Sequence, residues 1–71
     1  MKNKVKETRL EMNMTQAELA KRSGVSRPTI SMIETQSLDN IESKTMLKIA
    51  IALGKDVSDI FFTESVVLTQ Q

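Results

Sequence analysis

The sequence contains no cysteine and no histidine, and its 71 residues include one proline and two glycines. Without cysteine there can be no disulfide framework, and without either residue the usual zinc ligand sets cannot be assembled. The same two absences remove the commonest nucleophile and the commonest general base. No glycine-rich phosphate loop is present, and no carboxylate pair has a cleft to sit in, so the expectation is no enzyme, no metal and no cofactor. Aromatic residues make up 3% of the chain, and both of them, Phe61 and Phe62, are adjacent. The core must therefore be aliphatic, with methionine and alanine, which suits a helical bundle better than a sandwich of aromatic-rich strands. No run approaches the roughly eighteen apolar residues that span a bilayer. The opening MKNKVKETRLEM is basic but lacks the apolar stretch of a signal peptide. These absences set the expectation of no membrane partner and a cytoplasmic location.

What is present fits one small domain with a marginal core, stabilised by well-packed helices and self-association. So few short helices leave little room for a pocket, and no small-molecule ligand is expected. The net charge of +1 is unevenly spread. Residues 1–36 carry seven basic side chains against four acidic ones, and residues 37–71 carry three against five. A basic N-terminal half suits a polyanion, although solvated charge on small helical proteins is often uneven.

Five helices are expected. The first runs from Asn3, as N-cap, through Met12, with Val5, Arg9 and Met12 on one face. The second opens on Thr15 and Glu18, an S/T-x-x-E capping box, with Met14 and Leu19 placed as a hydrophobic staple. It should run to about Arg22 and stop at Gly24, which reaches the left-handed conformation cheaply. The third starts from Ser26, with Val25 and Ile30 repeating the staple spacing, and ends near Glu34 or Thr35. Pro28 falls in its first turn, where a missing N–H costs nothing. A polar connection, Gln36 to about Asn40, leads to a fourth helix ending at Leu53-Gly54, with Met46, Ile49, Ala50 and Leu53 at core spacing. A short fifth helix is capped by Asp56 and carries Ile60 and Phe61 inward. Residues 1–63 thus form the domain. Residues 64–71 form a tail with β-branched character and no helical period.

The joint between helices two and three is the informative feature. Two short helices separated by a three- or four-residue turn must cross steeply, which requires small side chains at the crossing. Ala20 supplies one and Gly24 the turn, while Leu19, Val25, Ile30 and Ile33 pin the pair together. Arg27, Pro28, Thr29, Ser31 and Met32 remain outward. A helix N-terminus bearing short polar side chains fits a DNA major groove about 12 Å wide.

Residues Thr15–Glu34, TQAELAKRSGVSRPTISMIE, resemble the helix-turn-helix of the phage-repressor (Xre/Cro-type) family. The similarity extends through Leu47–Gly54, LKIAIALG, and Asp59-Ile60-Phe61, covering roughly residues 3–62. The resemblance implies an all-α, five-helix, lambda-repressor-like domain that binds double-stranded DNA and regulates transcription. It further implies base contacts by Arg27, Pro28 and Met32, with Thr29 and Ser31 touching base or backbone, and a phosphate gripped by Gln16 at the start of helix two. Thr15, Ser26 and Lys44 join Gln16 as phosphate candidates. Arg27 suits bidentate contact with guanine, and the alternatives for it are a phosphate or free solvent. Pro28 and Met32 donate no side-chain hydrogen bond, so they are limited to thymine methyls or DNA shape. Arg9 and Glu34 match a pair that ties helix one to the end of the recognition helix; the blander reading is two separate surface charges. The chain departs from the family after Glu34, where Thr35-Gln36 stands in place of a glycine two residues on and the loop is slightly longer.

Helix four has a second apolar pair, Leu47 and Ile51, on a different face. They are either additional core or a patch that another surface covers. The tail residues Val66, Val67 and Leu68 could fold back, pair with their counterparts in a second subunit, or fray. The expectation is a homodimer built on Leu47, Ile51 and the tail, reading a palindrome as a repressor. The alternative is a DNA-binding antitoxin or interaction module acting with a partner protein.

Overall fold

The computed structural model describes residues 2–62 as five helices: α1 (Val5–Glu11), α2 (Gln16–Ser23), α3 (Arg27–Glu34), α4 (Ser43–Leu53) and α5 (Val57–Ile60). The longest has 11 residues, shorter than helices that persist alone in water, so tertiary packing must hold them. α2 packs on α4 and α3, α1 on α3 and α4, and α5 on α4. Every helix contributes to the core: Val5, Leu19, Ile30, Ile33, Ile49, Leu53 and Ile60 are all less than 2% exposed. Met14, Val25, Ala50 and Phe61 complete it. Aliphatic side chains fill nearly all of this interior, as the scarcity of aromatics requires.

The helix starts follow local chemistry. Thr15 caps α2 in a capping box in which its hydroxyl accepts from Glu18 N at 3.0 Å and the Glu18 carboxylate accepts from Thr15 N at 3.1 Å. Ser26 caps α3, with Pro28 in the first turn. At α5 the Asp59 carboxylate accepts from Asp56 N at 3.2 Å.

α1 departs from expectation at both ends. Its N-cap is Lys4, not Asn3. Asn3 is extended because its backbone forms an antiparallel bridge with Phe61, flanked by bonds from Lys4 N to Ile60 O and from Phe62 N to Lys2 O. The helix therefore begins later. The buried Asn3 side chain accepts from Val5 N through Oδ1 and donates through Nδ2 to Ile33 O at 2.9 Å. Met12 does not share the buried face of Val5 and Arg9; it lies past the helix end and is exposed. The helical register stops there because the chain turns through Asn13, at φ 54°.

The connection between α3 and α4 is longer and less polar than expected, since Leu38 and Ile41 are half-buried against the core. Leu47 and Ile51 are 52% and 69% exposed, so they are not additional core. Val66, Val67 and Leu68 lie outside the described residues. No described helix is long and apolar enough to cross a membrane.

Candidate nucleic-acid interface

α3 is divided lengthwise. Ile30 and Ile33 are fully buried, Thr29 and Ser31 half-buried, and Arg27, Pro28 and Met32 exposed. The i, i+4 spacing of Pro28 and Met32 puts them in one row, and that of Arg27 and Ser31 puts them in the next. Arg27 makes no ion pair among the described residues. Arg27 is the first residue of α3, at the positive end of the helix dipole, and its exposed side chain is open to an external acceptor.

The α3 cap also sets the polarity of its neighbours. Ser26 Oγ accepts from Thr29 N and donates to Thr29 Oγ1 at 2.8 Å. The Thr29 hydroxyl hydrogen is then left for an outside acceptor. In α2, the capping box holds Thr15 and Glu18 at the exposed start of the helix. The Thr15 backbone bond is the main influence holding the Glu18 carboxyl below the usual range. The turn between the helices runs through Gly24 at φ 74°, where an added Cβ would meet no other atom within 4 Å. Ser23 seals it, donating to Leu19 O at 2.6 Å and accepting from Val25 N.

Beneath this surface lies a polar network joining three helices. Arg9 Nε donates to Glu34 Oε2 at 2.7 Å, Arg9 Nη2 to Glu34 Oε1 at 3.0 Å, and Arg9 Nη1 to Met14 O at 2.7 Å. The two side chains are 9% and 2% exposed. Gln16 Nε2 donates to Glu34 Oε1 at 2.9 Å. A carboxylate in the last turn of a helix faces the negative end of the dipole, and here three donors satisfy it. Burial pushes the Glu34 carboxyl up, but the bonds from Arg9 and Gln16, with the charges of Arg9 and Lys6, leave it below the usual carboxylate range. The bond to Glu34 raises Arg9 further still, against the opposing effect of burial. Among the described residues no buried side-chain polar atom lacks a partner.

The family model of the helix-turn-helix matches residues 5–60, the span that holds all five helices and this network. The chain belongs to the Xre-like helix-turn-helix family. It is 47% identical over 64 residues, 90% of its length, to an uncharacterised HTH-type transcriptional regulator of Methanocaldococcus jannaschii, covering 96% of that protein. An uncharacterised HTH-type transcriptional regulator of Archaeoglobus fulgidus is 44% identical over 61 residues, 86% of this chain and 84% of the relative. Membership in this helix-turn-helix family implies DNA-binding regulation of transcription.

Within the helix-turn-helix, the structure brings Arg27, Pro28, Thr29, Ser31 and Met32 together on α3, beside the cap Ser26. Thr15 and Gln16 open α2, and Lys44 is exposed in the first turn of α4. Gln36, which stands where the family commonly has glycine, adopts the left-handed conformation, φ 60°. The link from Gln16 to Glu34 is absent from the sequence reading. It spans 18 positions and two helices, and no local pattern announces it.

Proposed function

We propose that the protein is a homodimeric transcriptional repressor that reads a palindromic operator by setting α3 into the major groove of each half-site. The observation that carries this reading is the split of α3, fully buried at Ile30 and Ile33 while Arg27, Pro28 and Met32 face out. Arg27 takes the O6 and N7 of a guanine, a contact worth about 1–3 kcal/mol of discrimination. Pro28 and Met32 lie against thymine methyls or sense groove shape. Thr29 and Ser31 donate to base or backbone. Thr15, Gln16, Ser26 and Lys44 hold phosphates, which fix register without reading sequence. The site of action is the cytoplasm. Repression follows from occupying a promoter.

The second copy is seated on the exposed pair Leu47 and Ile51, with Val66, Val67 and Leu68 as the tail's contribution. Exposed apolar side chains i, i+4 apart on an otherwise soluble helix support a covered face there. Deleting residues 64–71 and determining mass in solution tests the tail: an unchanged dimer removes it from the interface.

Binding of the purified protein to duplex from just upstream of its own gene, against scrambled duplex at two salt concentrations, tests the whole reading. Tight binding that survives competitor and weakens with salt is expected. Equal weak binding to both duplexes would favour the alternative, a DNA-binding antitoxin or interaction module whose partner protein covers the Leu47–Ile51 face.

A further inference from the structure

Gln16 occupies the first turn of α2, where backbone N–H groups have no carbonyl four residues back to bond. Its side chain is not free to rotate. Nε2 is held 2.9 Å from Glu34 Oε1, and that oxygen also accepts from Arg9 Nη2 at 3.0 Å. A carboxylate accepts hydrogen bonds and cannot donate them when ionised, so the amide must face Glu34 with its nitrogen and not its oxygen. One of the two Nε2 hydrogens is thereby committed inward. The other, in the plane of the amide, is committed to a different direction. Left alone on an exposed helix start, a glutamine amide would sample many rotamers and both flips, at an entropic cost to any contact it makes.

Arg9 makes this arrangement compatible with a polyanion nearby. A bare carboxylate beside a phosphate would repel it, but two guanidinium bonds neutralise Glu34. The third guanidinium bond, to Met14 O, fixes the residue immediately before the α2 cap. One buried arginine thus sets both the carboxylate that orients Gln16 and the backbone that carries it.

We propose that Glu34 is a positioning residue for DNA binding: its carboxylate, held by Arg9, orients the Gln16 amide so that the second Nε2 hydrogen meets a backbone phosphate. This inference rests on the DNA-binding reading above and assigns the last residue of α3 a role distinct from base readout. Glu34 itself does not touch DNA.

The test is a methylphosphonate scan, in which each phosphate of a duplex selected in vitro by the wild-type protein is made neutral in turn. The wild type should lose about tenfold in affinity when the phosphate held by Gln16 is neutralised, the size of one charge-assisted hydrogen bond. Gln16→Ala should bind the unmodified duplex about tenfold more weakly and be indifferent to that substitution. Glu34→Leu, which leaves Gln16 no acceptor, should show the same indifference while keeping the wild-type ranking of base substitutions. Because losing the ion pair could unfold the domain, Glu34→Asp is the second variant. It keeps a charge for Arg9 but falls short of Gln16, and should likewise be indifferent. In the Glu34→Asp background, Gln16→Ala should add no further loss. If either folded Glu34 variant still loses tenfold at that phosphate, the positioning role is overturned while DNA binding stands. A wild-type protein that selects no duplex at all overturns the DNA-binding reading and this role with it.

Discussion

Arg9 is the residue whose removal should matter most to stability, because it is the sole cation of a pair that is almost wholly out of water. Arg9→Met leaves Glu34 buried without its counter-charge, a change that typically costs about 3–5 kcal/mol. A domain of this size holds only on the order of 5 kcal/mol in total, so the variant should be largely unfolded at ambient temperature. Replacing both partners, Arg9→Met with Glu34→Leu, should recover most of the loss, since the pair's own desolvation cost goes with it. Urea titrations of the wild type and the two variants check this: if the double variant is as unstable as the single one, the pair is not what Arg9 supplies. The same pair dictates a pH dependence. Glu34 sits below its ordinary range when folded. Its contribution is therefore complete above the unfolded carboxylate value, about 4.3, and is lost as pH falls through the folded value. In Arg9→Met, burial, the largest influence on Glu34, is opposed only by the Gln16 bond and the Lys6 charge, and should push the carboxyl up. Stability should then increase as pH falls through that raised value, the reverse of wild type. The folded fraction of the variant and the urea midpoint of the wild type, measured across the acid range, read the sign directly.

Helix boundaries show how far a sequence carries and where it stops. The starts of α2 and α3 were legible because the capping residues Thr15 and Ser26 act on N–H groups only three positions away. Thr15→Ala should cost about 1 kcal/mol, seen as a lower thermal midpoint, whereas Thr15→Ser should keep the wild-type midpoint because its hydroxyl accepts the same bond. The ends at Gly24 and Gly54 were legible for the same reason: both glycines take positive φ. Two further helix ends use the same geometry without glycine. After α1, Met14 N bonds Arg9 O and Asn13 N bonds Leu10 O; after α3, Ser37 N bonds Met32 O and Gln36 N bonds Ile33 O. These are Schellman closures, with Asn13 and Gln36 in the left-handed position. Asparagine tolerates that conformation, but glutamine signals nothing of the kind. Gln36→Gly should therefore stabilise the domain by roughly 0.5–1 kcal/mol, relief of the left-handed strain partly offset by added freedom of the unfolded chain. Gly24→Ala should destabilise by a similar amount despite open space for a Cβ, and an unchanged melting temperature in both would sink the argument. The misplaced cap at Asn3 has another origin. Its pairing with Phe61 and its bond to Ile33 O reach across 58 and 30 positions, and no local pattern encodes such contacts.

At the scale of the whole molecule, the proposed operator reading calls for two copies, because α3 of one copy reaches little DNA. α3 has eight residues and so spans about 12 Å, with Arg27 as its one exposed side chain suited to a strong bidentate contact. A single such contact discriminates by about 1–3 kcal/mol, whereas specific sites in this class of interface exceed non-specific binding by roughly 4–10 kcal/mol. Two copies held rigidly add their contacts without a second association cost, and that requires a joined surface such as the exposed Leu47–Ile51 face. The geometry then demands recognition helices about one DNA turn apart, 34–36 Å. If the proposed dimer forms, Ile51→Asp should give a monomer by sedimentation that keeps the helical circular-dichroism spectrum, because the side chain is no part of the core of one copy, and its melting temperature should fall by what association contributes. Binding to a palindromic duplex should fall by about a hundredfold, while binding to a lone half-site should stay the same. Inserting about five base pairs between half-sites turns one recognition surface to the opposite side of the helix, and should cost the wild type a comparable factor. The monomeric variant, with no second helix to misplace, should be indifferent to that insertion. If wild type is equally indifferent, the copies bind independently, and specificity must come from DNA shape read by Pro28 and Met32 instead.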